Sequence, residues 1–124
     1  MLLNDEETKL IRFQVARYLG WSHLKYSQSG VLLGHAPGQR SVRPVPTYAD
    51  DIKAAWEIVE YLTARGVFVR IENKTLVGYV RNYFVEMGDF KCKNGQAQNI
   101  RAPLAICQAF TDFIRVRRSD SGDF

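Results

Sequence analysis

The segment that most restricts the fold is "TYADDIKAAWEIVEYLTARG", residues 47–66. Ile52, Ala55, Trp56, Val59 and Leu62 recur at the spacing that gathers side chains on one face of an α-helix. Thr47 stands at a capping position, Asp50 and Asp51 complement the positive helix end, and Gly66 supplies a stop. A chain with this segment must bury one long amphipathic helix, and the rest of the sequence has to cover it.

Two further helices are legible. Asn4 with Glu7 reads as a reciprocal cap, and Ile11, Val15, Tyr18 and Leu19 form an apolar face ended by Gly20, which predicts a helix from Asp5 to Leu19. In "NIRAPLAICQAF", residues 99–110, Pro103 suits the first helical position. Leu104, Ile106, Cys107, Phe110, Phe113 and Ile114 then make a broad apolar stripe. Between the helices lie strand signals: Trp21–Tyr26 and Val31–Leu33 around the turn "SQSG", the alternating "VFVRIE" at 67–72, and "TLVGYVRNYFVEM" at 75–87. "DFKCK" at 89–93 reads as a third, shorter strand before a polar connector, "NGQAQN". Residues 34–46, with three prolines, read as a long irregular loop. Trp56, Val59, Leu62, Val69, Ile71, Leu104, Cys107 and Phe110 are expected to be deeply buried.

At 124 residues the chain is the length of one domain. The reading is a single α+β domain over 1–118 with a flexible polar tail at 119–124, its three helices flanking an antiparallel sheet of three to five strands. No run of residues is apolar enough to span a bilayer. The acidic "MLLNDEETKL" is unlike a secretion signal, and two cysteines, Cys92 and Cys107, fit reduced thiols. The spacing of Cys and His matches no zinc site, and no cofactor motif is present. Seven basic and seven acidic side chains lie in residues 1–62, against ten and six in 63–124, so the whole net charge of +4 lies in the second half. An anionic partner is one reading of that asymmetry, and solubility is the other.

Three segments, "VARYLGW" at 15–21, "TYADDIKAAWEIVEYL" at 47–62 and "APLAIC" at 102–107, resemble the Phage ABA sandwich domain family. The resemblance spans about Lys9 to Ile114. It implies a three-layer arrangement of helices around an antiparallel sheet, a phage origin and residence in the cytoplasm of the infected bacterium. It supplies no catalytic mechanism.

The residues themselves argue against catalysis. Ser22 and His23 are neighbours on a strand and should point to opposite faces, and no glycine elbow surrounds any serine. Cys107 sits in an apolar stripe, and Asp50 and Asp51 are explained by helix capping. The expected function is a non-enzymatic phage accessory protein that binds and sequesters a small phosphorylated ligand, such as a host nucleotide immune signal. Arg40 and Arg43 on the basic loop, Arg101 before the third helix and Tyr48 as a stacking ring are the candidate ligand-binding residues. This requires three strands between the second and third helices, which brings their N-termini to one edge. The alternative is a nucleic-acid-binding or host-protein-binding module. For nucleic acid, Arg70, Lys74, Arg81, Lys91 and Lys93 interleave with Phe68, Tyr79, Tyr83 and Phe84. No membrane partner is expected, and a homo-oligomer is compatible with the sequence.

Overall fold

A computed structural model describes residues 5–73, 82–89 and 94–121, with side chains between 6 and 115 within those ranges. The elements run α1 (Asp5–Tyr18), β1 (Ser22–Tyr26), β2 (Leu32–His35), β3 (Val42–Pro44), α2 (Ile52–Thr63), β4 (Phe68–Asn73), β5 (Tyr83–Gly88), β6 (Asn94–Asn99) and α3 (Ala102–Ser121). The strands form two antiparallel three-stranded sheets, β1-β2-β3 and β4-β5-β6. The α+β class holds, with the strands divided between two sheets. α3 is the centre of the packing and touches β5, β6, α1 and α2.

The helix stops fall where glycine was expected. Past α1, the Trp21 N–H bonds the Ala16 carbonyl and the Gly20 N–H bonds that of Arg17; past α2, Val67 bonds Leu62 and Gly66 bonds Thr63. This paired pattern closes both helices, and it requires the positive φ seen at Gly20 and Gly66.

Several expectations change. α2 begins at Ile52, capped by Asp51, whose side chain accepts from the Lys53 N–H at 3.0 Å. Thr47 instead opens a turn, its carbonyl taking the N–H groups of Asp50 and Asp51. Trp56 is 47% exposed and Ile52 49%, because the buried stripe is Ala55, Ile58, Val59 and Leu62. At 3.6 residues per turn Trp56 lies about 100° round the helix from Ala55, on the side away from Ile58. Val69 and Ile71 are only half-buried, whereas Leu104, Cys107 and Phe110 are fully inside.

The 34–46 segment is not wholly irregular, since β3 pairs with β2 through Leu33↔Pro44, Gly34↔Arg43 and His35↔Val42. Proline is tolerated there because β3 is an edge strand. The Val45 N–H turns inward to the Leu32 carbonyl, so the donor that Pro44 lacks would have faced outward. The third strand between α2 and α3 exists, but β6 is "NGQAQN" itself; residues 90–93 of "DFKCK" lie outside the described residues. The helix also runs through 119–121, which were expected to fray, while 122–124 lie outside the description.

β6 escaped notice because its inward residues are small. Gly95 and Ala97 face α3, and a Cβ on Gly95 would fall 2.4 Å from the Phe113 nitrogen and 2.5 Å from the Ala109 oxygen. Only glycine lets the helix backbone come this close.

Candidate binding cleft

With three strands between them, the N-terminal ends of α2 and α3 do meet. Arg101 donates to the Ala49 carbonyl at 3.0 Å and to the Asp50 carboxylate. Asp50 also receives Arg12 of α1, so a single carboxylate joins the three helices. This convergence uses the Arg101 charge inside the fold. Asn99, 1% exposed, accepts from the Arg101 N–H at 3.0 Å and donates to the Gln108 amide at 3.1 Å. Those two bonds shape the turn into α3, where Pro103 takes the second helical position rather than the first.

Tyr48 cannot stack on a base. It is 3% exposed, and its hydroxyl accepts from the Trp21 indole at 3.3 Å. It lines a hollow of about 290 Å³ with Trp21, Pro46 and Tyr61, but its ring is packed against the core. Burial pushes its phenol up to about 12, and the Trp21 bond pulls the other way. Arg40 and Arg43 are exposed, Arg43 on β3 and Arg40 in the loop before it.

The residues set aside as catalytic need one correction. His23 has a φ of +54°, and the β1–β2 register shifts between Ser22 and Lys25. This bulge breaks the alternation and brings the His23 Nδ1 to 3.2 Å from the Ser22 hydroxyl, with the His35 ring stacked on His23 at 4.5 Å. Ser22 and His23 are exposed, and a stacked ring presents a face rather than the hydrogen bond that orients a base. Cys107 is fully buried, and burial pushes its thiol far above the ordinary range. A buried, protonated thiol is a packing group. Among the described residues no cluster of His, Cys, Asp or Glu could hold a metal ion.

The stacking platform is partly dismantled as well. Phe68, Arg70 and Phe84 share the outer face of the second sheet, while Tyr83 lies on the other face. Arg70 there pairs with Glu72 at 3.1 Å and Glu86 at 2.9 Å, which offsets its charge. Lys74, Tyr79, Arg81, Lys91 and Lys93 lie outside the described residues.

Sequence reading missed a cleft of about 670 Å³ between α1, β6 and α3. Gln14 and Tyr18 form one wall, Gln96 to Gln98 the other, and Gln108, Thr111, Asp112 and Arg115 the floor. Its size is that of ligand pockets, and its lining is amide and hydroxyl together with the Asp112–Arg115 ion pair. The spacing of Gln108, Thr111, Asp112 and Arg115 on the polar side of α3 was the available signal.

Helices layered on antiparallel strands around a polar cleft define an α+β sandwich domain. The family model of the Phage ABA sandwich domain matches residues 15–110, and the chain belongs to that family. Searches of curated proteins and of solved structures return no match. No helix among the described residues is long and apolar enough to cross a membrane.

Proposed function

We propose that this phage domain is a non-enzymatic accessory module that acts in the cytoplasm of the infected bacterium by binding a host protein. The observation that carries this reading is the α1–β6–α3 cleft, where one wall is the main chain of an edge strand. Such an edge offers N–H and C=O groups alternately. A phosphate needs donors alone and is repelled by the carbonyls, whereas another polypeptide satisfies both.

A second reading, capture of a small phosphorylated ligand such as a nucleotide, is favoured by Arg40 and Arg43. Both are exposed on one short stretch, and guanidinium groups bind phosphate bidentately. Native mass spectrometry of protein recovered from infected cells, followed by heat release, separates the two. A co-purifying polypeptide lost on filling the cleft (Gln14→Arg) supports the first. A released nucleotide whose binding needs Arg40 and Arg43, and not the cleft, supports the second. An oligonucleotide released steeply by salt would favour nucleic acid over both.

A further inference from the structure

We infer that the open edge of β6 is a strand-addition site, in which an extended segment of a partner protein rich in Ser, Thr, Asn and Gln pairs with the main chain of Gln96 and Gln98. The inference rests on the host-protein reading above and names the mode of contact. The Gln96 N–H bonds the Asp112 carboxylate at 3.0 Å, so it points away from β5 and into the cleft. In an antiparallel ladder the N–H and C=O of one residue point to the same side, and residues two apart agree. The Gln98 N–H and the carbonyls of Gln96 and Gln98 therefore face the cleft too. They stand at strand spacing and alternate donor with acceptor.

Edge strands are normally guarded. Here β1 carries a bulge and Lys25, β3 carries Pro44, and β4 carries the Arg70–Glu72 pair. β6 has no charge, proline or bulge among its own six residues. Among the described residues its cover is Asp112, which also pairs with Arg115 and so can be exchanged for another acceptor. The occupant is a thin strand rather than a second copy, because the edge is recessed between α1 and α3. A second subunit would have to bring its own two helices into the same space. The walls select polar side chains, since an apolar strand would leave the amide N–H groups of Gln14 and Gln108 facing it without water.

The test is a titration of ¹⁵N-labelled protein with the blocked hexapeptide Thr-Gln-Thr-Gln-Thr-Gln. The Gln98 amide is expected to shift and to gain protection from hydrogen exchange. Gln98→Pro removes an outward-facing donor, which edge strands tolerate, together with the side-chain acceptor for Asn82, and should weaken binding about ten-fold or more. Gln98→Ala, which loses that side chain alone, should retain it. Gln14→Arg should block binding from the opposite wall, independently of how the proline variant folds. Asp112→Ala should strengthen it by uncovering the Gln96 N–H. A Gln98 amide indifferent to millimolar peptide, or equal affinity in Gln98→Pro, overturns the inference. So does self-association of the free protein through β6, or an equal response of these amides to inorganic phosphate. A cellular partner whose binding survives Gln98→Pro retires the edge and leaves the binding function standing. Peptide pairing with no polypeptide partner in cells does the reverse.

Discussion

Arg101, one residue ahead of α3, is held by Asp50, two residues ahead of α2, and the same carboxylate takes Arg12 from α1. A candidate ligand arginine is thereby a clasp between helix starts. Arg101→Ala should destabilise by about 1 kcal/mol, as expected for a solvent-screened pair with one added bond to a backbone carbonyl. Asp50→Ala should do more, because it strips both arginines and the Arg12 Nε is already buried without a hydrogen-bond partner. Urea unfolding of the two single variants and the double variant should show non-additivity. Full additivity would mean the clasp does not bear load.

Trp56 and Ile58 lie two residues apart on α2 and should behave oppositely. Ile58 is fully buried, so Ile58→Ala should cost about 2–5 kcal/mol. Trp56→Ala, at a half-exposed site, should cost less than about 1 kcal/mol. Equal losses in thermal or denaturant melts would place Trp56 in the core after all.

What the sequence reveals here depends on range. Gly20 and Gly66 are legible as helix stops because their demand is local, a positive φ one residue past the helix. The α3 stripe is legible because Leu104, Cys107 and Phe110 repeat within one element. Trp56 misleads, since Ile52, Trp56 and Val59 fit an apolar face as well as Ile58 does, and only the position of α3 decides which side is covered. β6 is hidden because its inward residues are Gly95, Ala97 and Asn99, which carry no apolar alternation. The cleft inherits that invisibility, as its wall is main chain. Arg101 is visible as a helix-start arginine, but its partner lies 51 residues away.

The closeness of α3 to β6 can be tested at Gly95. An added methyl would meet backbone atoms of Ala109 and Phe113, which cannot rotate aside as a side chain would. Gly95→Ala should lower the melting temperature sharply, and Gly95→Val should prevent folding. Gly38, where a Cβ meets nothing within 4 Å, serves as the control, though its φ of +75° makes alanine mildly strained there. A Gly95→Ala protein as stable as the Gly38→Ala control would refute the packing.

Asn99 ties the end of β6 to α3 through two side-chain bonds while almost wholly buried. Asn99→Ala leaves the Gln108 carbonyl and the Arg101 N–H to find other partners, at about 1–3 kcal/mol. Asn99→Asp keeps the acceptor for Arg101 but turns the donor toward Gln108 into a second acceptor. It should recover part of the loss at most. Denaturant melts rank the three, and an Asp variant as stable as the wild type would show that the Gln108 bond is dispensable.

Alkaline pH should unfold the protein in a defined window. Burial raises Tyr48 from 10.0 to about 12, raises Tyr26 despite the opposing Arg12 charge, and raises Cys107 above its ordinary 9.0. In the unfolded chain these groups lose their protons at ordinary values, so above pH 9 to 10 the folded state binds more protons than the unfolded one. Their contribution is fully present below pH 9 and is lost progressively as pH rises, that of Tyr48 through about 12. The melting temperature should fall progressively over that interval and be indifferent to these groups at neutral pH. Tyr48→Phe removes one of the three protons, along with the acceptor for the Trp21 indole. The variant should start less stable at pH 8 and show a shallower decline between 10 and 12. If its profile runs parallel to the wild type throughout, the Tyr48 phenol ionises as freely in the fold as outside it.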